Sequence, residues 1–112
     1  MHAEDQIRLK HMIEACEAAL RFASGRSQSD LDADQMLLFA VVRAVEIVGE
    51  AASKVTEATR VELSEIPWKS IIGMRNRLVH AYFEIDTDIV WVAITVEIPL
   101  LLSRLKTLDL SE

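Results

Sequence analysis

Apolar residues recur at alternating spacings of four and three over residues 4–24, which is the period of one face of an α-helix. The spacing predicts an amphipathic helix over this segment, with Gly25 placed to end it. Its apolar face consists of Leu9, Ile13, Cys16, Leu20 and Ala23. The 112-residue chain contains only three Gly and two Pro, and this composition argues against a turn-rich all-β fold.

The helical pattern continues after a polar segment. Residues 25–30 have the composition of a loop, and Asp30 or Asp32 can then cap a second helix over residues 33–55. The wide apolar face of this helix predicts burial on more than one side. A short connecting helix is expected over residues 59–66.

Two further helices are predicted in the second half of the chain. Pro67 fits the first turn of a helix that runs towards His80. Asp86 or Thr87 is expected to cap the last helix, and Pro99 is expected to kink it.

The run IVWVAITVEI within the last helix is rich in β-branched residues and therefore also resembles a strand. No second strand signal exists to pair with it, so we interpret it as a buried helix. The chain is thus predicted to be all-α, an up-and-down bundle of four to five helices in which residues 1–112 form a single domain.

Charge is distributed unevenly along the chain. The net charge of −6, from 12 Lys and Arg against 18 Asp and Glu, argues against a general nucleic-acid binder. Residues 68–82 nevertheless contain Lys69, Arg75 and Arg77 and no acid. This segment, the basic window, carries +3, which leaves 9 positive and 18 negative charges on the rest of the chain.

Other features point to a soluble, cytoplasmic protein without a metal or other cofactor. The N-terminus MHAEDQIRLK lacks the basic start and apolar run of a signal peptide, and no apolar stretch reaches the ~18 residues of a membrane span. The one cysteine excludes an internal disulfide or a cysteine zinc site. His2 and His11 have no metal-ligand pairing with nearby acids.

The basic window also holds the densest collection of reactive side chains, namely Arg75, Asn76, His80 and Tyr82. Arginine offers a planar fork for phosphate, histidine moves a proton near neutral pH, and tyrosine carries a hydroxyl that can be modified. On a helix, Asn76 and His80 share a face, so Asn76 can orient the imidazole. Arg75 and His80 lie roughly 140° apart at ~100° per residue and do not converge. Either the helix loosens before His80, or a second copy of the chain completes the site across a two-fold axis.

A dimer suits RNA cleavage in particular. Without a metal, the 2′-hydroxyl is the nucleophile, a base deprotonates it, and an acid protonates the leaving 5′-oxygen. Two His80 side chains in a symmetric dimer can divide these roles, while paired Arg75 side chains stabilise the charge on phosphorus.

The sequence resembles the HepT-like branch of the HEPN superfamily over almost its whole length. The resemblance is carried by VGEAASKV at residues 48–55, by IPWKSIIGMRNRLVHAYFEID at residues 66–86, and by the VW that follows at residues 90–91. Its central signature is R-x4-H-x-Y, here Arg75, His80 and Tyr82, with the polar residue after the arginine supplied by Asn76.

The resemblance implies an all-helical, homodimeric, metal-independent RNase that acts as the toxin of a two-gene toxin–antitoxin system. The partner implied is similar to a minimal nucleotidyltransferase (MNT), which neutralises the toxin by transferring AMP to the tyrosine that matches Tyr82. Arg75 and His80 would be catalytic, and Asn76 would support them. The alternative is a non-catalytic HEPN module that binds a nucleotide or a partner in the same cleft.

Several residues in and near the basic window allow two interpretations. Arg75 is either catalytic or simply paired with an acid on a neighbouring helix. Lys69 and Arg77 are either contacts to the RNA backbone or solvated surface charges. Glu50 is either a buried partner for Arg75 or Arg43 or a surface acid. The two tryptophans, Trp68 and Trp91, are interpreted as core anchors and not as platforms for base stacking.

Overall fold

Three long helical segments form the body of the protein in a computed structural model. The structure describes residues 1–80 and 84–110; for His80 it describes the backbone and not the side chain. Two of the long segments are α1 (Ala3–Ala23) and α3 (Gln35–Ser53). The third is a continuous rod of α7 (Thr87–Val92), a π-helical turn (Ala93–Glu97) and α8 (Ile98–Lys106). The chain is all-α as predicted, and its helices pack as a bundle.

Shorter elements connect these segments. They are α2 (Gln28–Ala33), α4 (Glu57–Glu62), α5 (Trp68–Ile72) and α6 (Met74–Leu78). A small antiparallel hairpin follows α6, made of β1 (Val79–His80) and β2 (Glu84–Ile85), with Val79 opposite Ile85 and His80 opposite Glu84. The sequence did not predict this hairpin.

The core lies between α1, α3 and the C-terminal rod, because each contributes an apolar stripe to it. α1 packs along α3, and α8 packs against α1. Fully or almost fully buried members from these three segments are Leu9, Met12, Cys16, Val41, Val45, Val48, Ile98, Leu101 and Leu105. Burial, with a smaller contribution from Glu17, raises the pKa of the Cys16 thiol from 9.0 to about 12.

The segment between α1 and α3 differs in detail from the prediction. Gly25 ends α1 as expected, with a left-handed φ of 73° that glycine adopts without steric cost. The expected loop over residues 25–30 is shorter, because Ser27 and Asp30 form a capping box that starts α2 at Gln28. Asp34, not Asp30 or Asp32, caps α3 by accepting a hydrogen bond from the Leu37 amide at 3.1 Å.

The C-terminal rod confirms the helical interpretation of its β-branched run. Asp86 caps it as predicted, accepting hydrogen bonds from the amides of Asp88 and Ile89. In place of a simple kink at Pro99, the π turn Ala93–Glu97 lies just before it. Proline has no N–H and crowds the carbonyl four residues earlier, so a widened turn at that point relieves the clash.

A buried carboxylate joins the start of α1 to the start of α4. Asp5 is 1% exposed and accepts hydrogen bonds from the Thr56 amide at 3.0 Å and from the hydroxyls of Thr56 and Thr59, each at 2.6 Å. Burial raises the pKa of the Asp5 carboxyl, but these hydrogen bonds and the charge of His2 together hold it below its ordinary value.

α5 approaches α3 closely at Gly49, where an added Cβ atom would lie 3.1 Å from the backbone oxygen of Ile71. This contact limits the distance between α3 and α5, which is the first helix of the basic window. Among the described residues, no helix is long and apolar enough to cross a membrane.

Candidate functional site

The basic window begins with two short helices, α5 and α6, which are separated at Gly73. Trp68 anchors the first of them: its side chain is buried and its indole N–H donates to the Leu63 carbonyl at 3.1 Å, which confirms its predicted role in the core. In α6, Met74 and Leu78 are buried one turn apart. Because those two residues face the core, Arg75 and Asn76 are left on the surface.

The helix ends before the predicted catalytic histidine. α6 stops at Leu78, and the backbone of His80 lies in β1. The expectation that Asn76 and His80 share a helical face is therefore wrong, because a spacing of four places residues on one face only within a helix. Of the two alternatives for bringing Arg75 and His80 together, the loosening of the helix is present in the fold.

Arg75 is held by an acid on another helix. Its Nε donates to Oε2 of Glu46 at 2.6 Å, and the Arg75 side chain is 60% exposed while that of Glu46 is 16% exposed. Glu46 also lies 3.8 Å from the guanidinium of Arg43, which in turn pairs with Glu50 at 2.9 Å. Glu50 is a surface acid, with a side chain that is 56% exposed, and not a buried partner; of the two predicted arginines it pairs with Arg43.

The sequence allowed an acid on a neighbouring helix as the partner of Arg75, but it did not identify that acid as Glu46. Glu46 lies 29 positions before Arg75, so no local spacing connects the two residues. The one available signal is its position three residues after Arg43 on a helix, which predicts a pair with that arginine and not with Arg75.

Arg77 is engaged on the opposite side of α6. Its guanidinium donates to the Glu97 carboxylate at 3.0 Å and to the backbone oxygen of Ser70 at 3.2 Å. These contacts connect α6 to the π turn and to α5, so Arg77 has a structural role whether or not it also contacts RNA. Lys69 is exposed.

A shallow groove of about 280 Å³ lies beside Arg75. Its apolar part comes from α3 and the hairpin, and its polar part comes from the charged network; the lining residues are Phe39, Val42, Arg43, Glu46, Arg75, Val79 and Ile85. A more enclosed cavity of about 120 Å³ lies elsewhere, between α5 and α8, but its lining is mostly apolar. The groove beside Arg75 is the better candidate site because it borders the arginine of the signature and Val79, which precedes His80.

Two of the predicted site residues fall partly or wholly outside what the structure describes. Tyr82 lies outside the described residues, and of His80 only the backbone is described. Within residues 1–80 and 84–110, no group of three or more His, Cys, Asp or Glu side chains is placed to hold a metal ion.

Known proteins are similar in sequence to this chain over the range that includes the site. The profile of the family described as "Ribonuclease HepT-like" matches residues 12–108. The chain belongs to the HepT-like ribonuclease family. The resemblance to HepT-like HEPN proteins seen in the R-x4-H-x-Y signature is thereby confirmed.

Individual HepT-like relatives align over most of their length. A protein of Caldanaerobacter subterraneus subsp. tengcongensis, whose name assigns it provisionally as an RNase, is 39% identical over 98 residues, which are 88% of each chain. A protein of Thermococcus cleftensis named probable ribonuclease HepT is 34% identical over 100 residues, covering 89% of this chain and 91% of its own. No solved structure matches the chain with significance.

The HepT-like signature crosses a change of secondary structure in this chain. Its arginine lies on α6 and its histidine on β1, so the two residues are held by different elements. Helical periodicity therefore does not relate the two positions of the signature in this chain.

Proposed function

We propose that this HepT-like protein is a metal-independent RNA endonuclease that acts as the toxin of a HEPN–MNT toxin–antitoxin pair. The observation that carries the proposal is the position of Arg75, whose guanidinium is bound through Nε to Glu46 at the edge of a groove. Its two Nη amino groups have no hydrogen-bond partner among the described residues, and they are the groups that bind phosphate oxygens. Family membership supports the ribonuclease part of this proposal.

In this proposal the substrate supplies the nucleophile. One His80 removes the proton of the ribose 2′-hydroxyl, whose oxygen attacks the adjacent phosphorus, and a second histidine protonates the departing 5′-oxygen. The products are a 2′,3′-cyclic phosphate and a 5′-hydroxyl. Arg75 stabilises the additional negative charge on the phosphoryl oxygens, which is the role that a positioned cation performs best.

The proposed site is shared by two copies of the chain. Each chain has one His80, and the chemistry uses two histidines, so the second is His80 of the partner subunit. The exposed face of α3 supports a contact next to the site: Met36 is 83% exposed and Phe39 is 53% exposed, on the same side of the helix as Arg43 and Glu46.

For neutralisation, we propose that an MNT-type nucleotidyltransferase transfers AMP from ATP to the Tyr82 hydroxyl, with release of pyrophosphate, or blocks the site by binding. AMP on that hydroxyl would add a phosphodiester charge and an adenosine close in sequence to His80. Added bulk and negative charge oppose the entry of an RNA phosphate. Asn76 is proposed to support the site, and Lys69 and Arg77 to contact the RNA backbone.

The proposal is tested with His80→Ala, using His11→Ala on the exposed part of α1 as the matched control. The parent protein and His11→Ala should cleave single-stranded RNA in excess EDTA, and they should inhibit growth when expressed without a neighbouring nucleotidyltransferase. His80→Ala should lose both activities while keeping its helical circular dichroism and its oligomeric mass.

Different failures identify different errors. Cleavage by His80→Ala at the parental rate would remove His80 from catalysis. A requirement for added magnesium would contradict the metal-independent mechanism. RNA or nucleotide binding without any cleavage by the parent would favour the non-catalytic binding module.

A further inference from the structure

The Arg75 guanidinium is oriented by a residue on a different helix. Oε2 of Glu46 accepts the hydrogen bond from Nε at 2.6 Å, and neither Nη1 nor Nη2 has a hydrogen-bond partner among the described residues. A carboxylate on Nε fixes the plane of the guanidinium and leaves both amino groups available for a phosphate. Without that contact, the long and 60% exposed side chain would sample many rotamers.

Glu46 is itself in a rigid position. Its side chain is 16% exposed, compared with 56% for Glu50 one turn later on α3. The backbone around it is fixed by the buried Val42, Val45 and Val48. Arg43 lies 3.8 Å from its second carboxylate oxygen, Oε1. Each oxygen of Glu46 therefore faces a different arginine, and its geometry is set by the core of α3.

We propose that Glu46 is a positioning residue that aligns Arg75 for the phosphate of the substrate. The inference rests on the proposed ribonuclease function. Glu46 then affects the reaction only by orienting Arg75, and it does not itself contact the RNA. A carboxylate beside a phosphate site also repels the substrate, so its presence there is better explained by alignment than by affinity.

The exposure of Arg75 distinguishes this role from that of a stabilising ion pair. Exposed ion pairs contribute little to stability, and Arg75 is mostly exposed. Removing Glu46 should consequently leave the melting temperature close to that of the parent. Misalignment of the group that stabilises the transition state should instead lower kcat, by about 10- to 100-fold. KM should not rise, because a repelling charge is removed.

The experiment compares Glu46→Ala and Glu46→Gln with Glu50→Ala as the matched control. Glu50 has the same charge, lies on the same helix and shares the partner Arg43. We expect the kcat of Glu46→Ala to fall as stated, that of Glu46→Gln to fall less because its amide oxygen still accepts from Nε, and that of Glu50→Ala to stay within about twofold of the parent.

A double variant shows whether the effect passes through Arg75. Once Arg75→Ala has removed the guanidinium, Glu46→Ala should cause no further loss of kcat. Multiplicative losses in the double variant, an equal loss in Glu50→Ala, or a parental kcat in Glu46→Ala would each overturn the inference.

A binding measurement separates this inference from the proposed function. If the parent binds but does not cleave RNA, the proposed function is wrong, and the dissociation constant of a 2′-O-methyl oligoribonucleotide becomes the readout. Arg75→Ala should then weaken binding by a smaller factor in the Glu46→Ala background than in the parent. The same or a larger factor would overturn the positioning role of Glu46.

Discussion

Replacing Asp5 with alanine is expected to destabilise the fold more than replacing any neighbouring surface acid. The change removes an acceptor of three hydrogen bonds from a carboxylate that is 1% exposed, and it leaves the buried Thr59 hydroxyl without that acceptor. At about 1 kcal/mol of net stabilisation for each hydrogen bond, the loss is about 3 kcal/mol. For a domain of this size, that corresponds to a fall in Tm of about 12 °C.

The assay is thermal and urea unfolding followed by circular dichroism, with Glu4→Ala as the control. Glu4 is exposed and also lies in the first turn of α1, so both variants lose a similar favourable interaction with the helix N-terminus. Glu4→Ala is expected to stay within about 0.5 kcal/mol of the parent. The reasoning is refuted if Asp5→Ala melts at the parental temperature or if both variants lose the same amount.

The hydrogen bonds of Asp5 also predict the direction in which the free energy of unfolding changes with pH. The pKa of Asp5 is lowered in the folded protein, so the unfolded chain binds the proton more tightly than the native one. The contribution of Asp5 to the free energy of unfolding is therefore complete above the ordinary carboxyl pKa of 3.8 and is lost as the pH falls through the lower native value. In Asp5→Ala this part of the acid dependence should be absent.

Two further predictions concern Cys16 and Tyr82. With a pKa raised to about 12, the buried Cys16 thiol should resist iodoacetamide at pH 8 in the native protein and react once the chain is unfolded in urea; rapid native alkylation would contradict its burial. Tyr82 is the only tyrosine in the chain, so co-expression with a neighbouring nucleotidyltransferase should add one or more AMP units to the intact mass, and Tyr82→Phe should show none; neutralisation without added mass would favour inhibition by binding.

The helices whose apolar residues recur over many turns could be predicted from the sequence. α1 and α3 have enough turns for the pattern to identify a buried face, and the C-terminal rod was correctly separated from a strand because it lacked a pairing partner. The Asp86 cap was predictable for a local reason, since a side-chain acceptor three residues before an amide is visible in the sequence.

The elements near the site depend on tertiary contacts and were therefore missed. β1 and β2 have two residues each, too few to produce an alternating pattern, and they form where α6 ends against α3 and α7. The contact between Glu46 and Arg75 requires α3 and α6 to pack at one particular distance, which Gly49 helps to set by admitting the α5 backbone. Neither condition can be recognised from the spacing of residues in the sequence.

The basic window has no acid in its sequence, but carboxylates from elsewhere in the fold reach it. Glu46 pairs with Arg75 and Glu97 pairs with Arg77, so two of its three cations already have counter-charges. An RNA strand bound through these arginines would release few condensed counterions, because their charges are already partly balanced. The number released sets how steeply affinity falls with salt: the slope of log K against log salt concentration is about −0.7 for each phosphate neutralised on a single strand. We expect a shallow salt dependence, in which short-range fit to the strand, and not long-range attraction, selects what binds.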